Sequence, residues 1–265
     1  MKKIGIIGYG VVGKAISLTF EKEFIIVKYD KYNDYDDFKD LLDCSFVFIA
    51  VPTPFDNEKN RIDDSSVLES LERLDSFDYK GTVIIKSTIP PTYTRSFRSI
   101  FNLKIVFNPE FLRESTTPNE DFANQSIVVI GVDDHKDFQN TKSLFLKVLV
   151  EDCTYHECSY EEAELIKYSQ NMTLSSRVSI SNLVFDACEK LGVEYSSLKK
   201  VAFDSFPILG PHMTQVPGTD GKRGFGGKCL PKDLLGFNSV FPSSILESII
   251  EYNESLREDI PKSGK

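Results

Sequence analysis

Short, predominantly apolar and β-branched runs alternate with helical stretches through the first half of the chain. Ile4–Ile7 predicts a buried strand, and the run after it, through Phe20, has its apolar residues at helical spacing. Phe24–Tyr29, Ser45–Val51, Thr82–Lys86, Lys104–Phe107 and Ser126–Ile130 predict further strands, with Tyr155–Glu157 as one more short one, and Ser65–Leu74 predicts a helix. Strands apolar throughout are buried on both faces, and strands separated by helices imply parallel β-α-β units. The expected class is therefore α/β.

The character then changes. From Tyr160 to about Leu191 there is no Pro, Gly or strand signal, and Gly192 is a natural helix stop. Such a helix is about 45 Å long, more than one small domain covers, which predicts a homodimer packed along it. Phe206–Lys228 is rich in Pro and Gly, a long irregular loop of the kind that is more often functional than idle. Ser243–Asp259 predicts a last helix, with Pro261–Lys265 frayed beyond it. The expected domains are 1–158, built on the sheet, and 159–265, all helical.

Composition narrows the function. The chain has 265 residues, 31 Lys+Arg against 40 Asp+Glu and a net charge of −9. That balance argues against a nucleic-acid partner held by bulk electrostatics. A hydrophobic share of 41% excludes a disordered chain. No run approaches the roughly 20 apolar residues of a membrane span, and the glycines of Met1–Gly10 break any signal-peptide reading. Cys44, Cys153, Cys158, Cys188 and Cys229 are odd in number and scattered, which implies a reducing, cytoplasmic setting. No spacing suggests a metal site.

The sharpest local signal is Gly8-Tyr9-Gly10-Val11-Val12-Gly13, directly after a strand and opening a helix. Glycines there allow a tight turn and let the backbone approach a pyrophosphate at the helix N-terminus. Asp30 ends the second strand, where a carboxylate accepts from a ribose 2′-hydroxyl and repels a 2′-phosphate. The sheet is thus expected to be of Rossmann type and the cofactor NAD. Lys28 and Lys31 flank Asp30 and leave a small opening for NADP.

Cys229 lies in Gly224-Phe225-Gly226-Gly227-Lys228-Cys229-Leu230-Pro231-Lys232-Asp233. A nucleophilic thiol needs access and neighbouring positive charge, which the glycines, Lys228 and Lys232 supply. Composition alone favours a small buried cysteine beside a turn. The wider pattern reverses that reading. The glycine turn, Val51-Pro52-Thr53-Pro54, Lys86-Ser87-Thr88-Ile89-Pro90, Asn108-Pro109-Glu110-Phe111-Leu112-Arg113-Glu114, Ala163-Glu164-Leu165-Ile166-Lys167-Tyr168 with Asn171, and the Cys229 segment occur in one order. From Met1 to about Arg257 the chain resembles the UDP-glucose/GDP-mannose 6-dehydrogenases, which oxidise a sugar-nucleotide alcohol to the acid with two NAD.

The resemblance implies roles. Cys229 would be the nucleophile, giving a thiohemiacetal and then a thioester, with Lys167 and Asn171 on one helix face stabilising the oxyanion. Asp233 would orient water, Glu114 would assist acid–base chemistry, and Thr88 would lie near the nicotinamide. Gly8, Gly10, Val12, Gly13, Asp30, Pro52, Thr53 and Lys232 would bind NAD. Glu110, Phe111, Leu112, Arg113, Gly218, Phe225 and Gly226 would line the substrate side, with His212 a weaker candidate there. UDP-glucose is the substrate expected first.

Most members of that family continue into a third, nucleotide-binding domain, and the expectation for this chain is a short form without one. A short natural form, a partner chain that supplies the missing half, and a remnant kept for binding are the alternatives. Retention of Cys229, Lys167, Asn171, Asp233 and Glu114 together argues against a remnant. Two rival functions stand beside the first: a single-step hydroxy-acid dehydrogenase of the 6-phosphogluconate type, which uses no cysteine, and a non-catalytic NAD-binding subunit.

Overall fold

The computed structural model describes residues 2–112 and 117–257 and divides into two compact units. The first comprises Met1–Pro54 and Asp63–Lys167, the second Phe55–Ile62 and Tyr168–Lys265. The division thus falls inside the long helix rather than ahead of it at 158/159, and a short segment of the first half belongs to the second unit.

In the first unit β1 (Lys3–Ile7), α1 (Val11–Phe20), β2 (Ile25–Tyr29) and β3 (Phe46–Ile49) open the chain. Two short strands, β4 (Phe55–Asp56) and β5 (Arg61–Ile62), form the hairpin that belongs to the second unit. Then follow α2 (Ser65–Ser76), β6 (Thr82–Ile85), α3 (Tyr93–Ile100), β7 (Lys104–Phe107), α4 (Pro118–Ala123), β8 (Ile127–Gly131), α5 (His135–Phe145) and β9 (Thr154–Cys158). The seven-stranded sheet has the order β2-β1-β3-β6-β7-β8-β9. Its strands are parallel except that β8 runs antiparallel to β7. The sequence pattern predicts parallel pairing throughout. Apolar runs report burial on both faces, not direction, so the reversal leaves no trace in them.

Residues alternate between the two faces of each strand, and both faces are apolar, which gives two cores. Ile7, Val47, Ile49, Val83, Ile85 and Ile105 pack on one side, and Ile4, Ile6, Phe48, Ile84, Val106 and Ile130 on the other. Burying each such side chain stabilises the fold by about 1.5–3 kcal/mol against leaving it exposed. The chain turns from β1 to β2 on one side and to β3 on the other, so the carboxyl ends of β1 and β3 flank a topological switch point, where α/β sheets bind ligands.

The long helix α6 (Tyr160–Leu191) matches its predicted span. It is followed by α7 (Tyr195–Lys199), α8 (Leu230–Val240) and α9 (Ser244–Leu256). Among the described residues of the second unit the regular structure is helical apart from the β4–β5 hairpin, whose Phe55 and Ile62 share a core with Val178, Phe225, Leu234, Leu235 and Ile250. Gly236 allows that contact, since a Cβ there would meet Ile62 Cδ1 at 2.7 Å. Among the described residues no helix is long and apolar enough to cross a membrane, and no cluster of metal-ligating side chains occurs.

Candidate active site

The first unit builds a glycine turn at the switch point. Gly8 has φ +90°, and a Cβ on it would lie 2.6 Å from Ala50 O, so the turn admits only glycine. A Cβ on Gly13 would lie 2.1 Å from Gly8 O, which makes that glycine a packing requirement of α1 against β1. Gly10 differs: a Cβ there would meet nothing within 4 Å. It is the N-cap of α1, whose first turn holds no acidic residue. An open space before an uncapped helix N-terminus fits a pyrophosphate. Val12 is half-buried and packs on the core below.

Asp30 closes β2 beside this turn. Its Oδ2 accepts from Tyr9 N at 2.9 Å, and its Oδ1 from Tyr32 N at 3.0 Å and Asn33 Nδ2 at 2.8 Å. Burial works to raise its pKa, but these hydrogen bonds outweigh it and hold the carboxyl below its usual range. It therefore stays an anion, which suits a ribose 2′-hydroxyl and opposes a 2′-phosphate. A pocket opens here between Gly8, Asp30, Val51 and Pro52 on one side and Glu69 and Arg73 of α2 on the other. Thr53, nearly buried, donates from Oγ1 to Thr88 O at 2.7 Å, and Ser87 Oγ donates to Val51 O at 2.7 Å. The loops after β3 and β6 are thus tied to each other at the sheet's carboxyl edge.

Farther along that edge stands a buried charge cluster. Lys86, at the end of β6, donates to Asn108 Oδ1 at 2.9 Å and pairs with Glu110 Oε2 at 3.0 Å. Glu110 Oε1 accepts from the amides of Phe111 and Leu112, each at 2.9 Å. Asn108 Nδ2 donates to Val129 O at 2.7 Å, which anchors the cluster to β8. Burial pushes the Lys86 ammonium down, Glu110 opposes this, and neighbouring Lys167 adds to the lowering. Lys167 is itself buried, with Nζ 5.5 Å from the Phe111 ring centroid. Glu164, one turn earlier on α6, is fully buried and accepts from Thr92 N at 2.7 Å, Thr94 N at 2.9 Å and Thr94 Oγ1 at 2.6 Å. It caps α3 from outside the helix.

Lys86 and Glu164 fall within landmark segments of the sequence, yet neither is expected there to have a role of its own. The one available hint for Lys86 is its place at the end of a predominantly apolar strand. For Glu164 it is the helical spacing to Lys167, which puts both on one face of α6. Arg113 and Glu114 lie outside the described residues.

The second unit presents the cysteine. Cys229 is exposed and is the N-cap of α8, where amide dipoles favour negative charge. This helix is absent from the predicted elements, although Pro231 in its first turn is a start signal. Asp233, one turn on, is fully buried and accepts from Asn171 of α6 on Oδ2 and from Lys232 Nζ on Oδ1, the latter at 2.5 Å. The loop before Cys229 is clamped. Asn253 Oδ1 accepts from Phe225 N at 2.8 Å and its Nδ2 donates to Phe225 O at 3.0 Å, while Asn182 Oδ1 accepts from Gly224 N at 3.1 Å. Phe225 has its side chain in the core, and Gly226 leaves room for the Arg257 guanidinium, whose Nη2 would lie 2.4 Å from a Cβ there. Gly218 donates from its amide to Lys222 O at 2.8 Å in a tight turn, and His212 is exposed on the same loop.

The expected residues thus fall into two groups. Gly8, Gly10, Val12, Gly13, Asp30, Pro52, Thr53, Thr88, Glu110, Phe111, Leu112 and Lys167 belong to the first unit. Asn171, Gly218, Phe225, Gly226, Cys229, Lys232 and Asp233 belong to the second. Cys44, Cys153 and Cys188 are buried and Cys158 half-buried, and burial pushes the thiols of Cys44 and Cys158 up to about 12 and about 11.

Comparison with known proteins gives a consistent answer. Curated UDP-glucose 6-dehydrogenases of Campylobacter jejuni and Streptococcus pneumoniae are 32% and 29% identical, over 80% and 82% of this chain. The chain covers 53% and 56% of their lengths, so it spans about half of the curated relatives it matches. A solved UDP-glucose dehydrogenase from Pyrobaculum islandicum superposes with TM-score 0.82 over 96% of this chain and 68% of that one, at 24% identity, a likeness of fold. Residues 26–149 match the NAD binding domain of the UDP-glucose/GDP-mannose dehydrogenase family, and residues 161–255 match that family's central domain. NAD is accordingly the cofactor, and the open glycine cradle with Asp30 beside it fits that molecule. With both family models matched in order over most of its length, the chain belongs to the UDP-glucose/GDP-mannose dehydrogenase family.

Proposed function

We propose that the chain oxidises the C6 alcohol of a nucleotide sugar, UDP-glucose first among candidates, to the carboxylate in two steps anchored on Cys229. The observation that carries this reading is the arrangement around α8: an exposed thiol at the helix N-terminus, with a buried carboxylate one turn on that is held by Asn171 and Lys232. When bound, NAD supplies the hydride acceptor.

Cys229 Sγ adds to the C6 aldehyde left by the first oxidation and forms a thiohemiacetal, so the intermediate stays bound between steps. Oxidation of that adduct leaves a thioester. Asp233 orients the water that cleaves it and takes one proton, which frees the Cys229 thiolate and the carboxylic acid, and the acid then loses its own proton to solvent as the carboxylate. Lys167 and Asn171 stabilise the oxyanion formed in each step. Glu114 assists proton transfer, and Thr88 lies at the nicotinamide end. Glu110, Phe111, Leu112, Arg113, Gly218, Phe225 and Gly226 line the sugar's side.

The same reading includes a cytoplasmic homodimer along α6, supported by the exposed Ile180, Leu183 and Leu191 on that helix. The nucleotide of the substrate would be held by a partner chain or by groups outside those named. The test is stoichiometric: NADH formed per UDP-glucose consumed. Two supports the proposal, one supports a single-step dehydrogenase, and none supports a binding subunit.

A further inference from the structure

Among the described residues, the cations that line the pocket beside Asp30 (Lys31 and Arg73) are each engaged by a neighbour. Lys31 follows Asp30 directly and lines the pocket, and its Nζ is held by both carboxylate oxygens of Glu69 on α2, at 2.7 and 3.0 Å. Arg73, one turn further along α2, donates to Tyr29 Oη at 2.6 Å and stacks 3.8 Å from the Phe38 ring centroid. Lys28 lies 5.1 Å from the Tyr9 ring centroid. A site that accepts a ribose 2′-phosphate needs a cation free to meet it. Lys31 is the one placed by sequence beside the residue that would hold the ribose.

We propose that Glu69 is a second cofactor-specificity residue: Asp30 repels a 2′-phosphate, and Glu69 withholds Lys31, the lysine that would otherwise receive it. This rests on NAD occupying the glycine cradle. A surface ion pair kept only for stability has no bearing on which dinucleotide binds. The two roles therefore separate in a binding experiment that needs no turnover.

The experiment is calorimetric titration of NAD and NADP into the full chain, comparing wild type, Glu69→Gln and the double variant Glu69→Gln/Lys31→Ala. Glu69 is exposed enough that neither change threatens the fold. Expected is a ratio of NADP to NAD affinity about fivefold higher in Glu69→Gln than in wild type, the upper range for one exposed charge pair. The gain disappears in the double variant. A ratio that Glu69→Gln leaves unmoved overturns the inference. So does a gain that survives loss of Lys31, which would assign it to Arg73 or to the general field. Wild-type protein that binds neither dinucleotide would overturn the cofactor reading itself, and this inference with it.

Discussion

Asn171 donates its side-chain amide to Asp233, a carboxylate with no solvent exposure whose other oxygen is held by Lys232. A buried carboxylate needs a donor on each oxygen, and an unmet one costs about 1–3 kcal/mol. Asn171→Ala should destabilise the chain by about that amount, and Asn171→Asp by more, because it sets a second anion against the first. Urea unfolding midpoints of the two variants check this order.

Gly10 and Gly13 separate cofactor binding from folding. A Cβ at Gly13 runs into the backbone of Gly8, whereas one at Gly10 enters open space. Gly13→Ala should therefore destabilise the fold. Gly10→Ala should keep its thermal midpoint yet weaken NAD binding at least about tenfold, since the methyl group occupies the phosphate's approach. Thermal melts paired with NAD titration read both effects.

Lys86 and Glu110 form a buried pair, the lysine side chain 1% exposed and the glutamate 11%. Removing one partner strands the other, at a cost of about 3–5 kcal/mol. Lys86→Met should destabilise by that amount, and Lys86→Met/Glu110→Gln should recover much of the loss. Equilibrium unfolding of the single and double variants decides whether the pair behaves as a unit.

Burial pushes the Glu164 carboxyl up to about 7 from an ordinary 4.5, against the opposing hydrogen bonds from Thr94 and Thr92. The folded state thus binds a proton more tightly than the unfolded one. The resulting stability is fully present below about pH 4.5 and is lost as pH rises through about 7. Between pH 5 and pH 7.5 it amounts to about 2 kcal/mol. Glu164→Gln has no such proton to bind, so its stability relative to wild type should improve by that amount from pH 5 to pH 7.5. Unfolding curves of both proteins at the two pH values measure the difference, and a constant gap would contradict it.

What the sequence showed and what it hid follow from how far each signal reaches. The glycine turn, the strand ends and α6 are local: their residues adjoin one another, so the pattern is visible in the chain. The β4–β5 hairpin has two residues per strand, too short for any alternation to register. The reversal of β8 is a matter of connection, invisible in an apolar run. Lys86 and Glu164 depend on partners 24 and 70 residues away, so a lone charge in the sequence gives no warning of burial. Asn171 and Asp233 stand 62 residues apart, and only the resemblance named both before the structure joined them.

The central claim is that Cys229 holds the substrate between two oxidations. Steady-state NADH production from UDP-glucose by Cys229→Ser, set beside Cys44→Ser, Cys153→Ser, Cys158→Ser and Cys188→Ser, tests it most directly. Cys229→Ser should bind NAD normally yet form no net acid, with at most a slow first oxidation or an adduct trapped on the chain and visible by intact mass. The other four should stay near wild-type rates wherever they fold. A fully active Cys229→Ser protein would contradict the covalent mechanism and leave the NAD-binding fold standing without it.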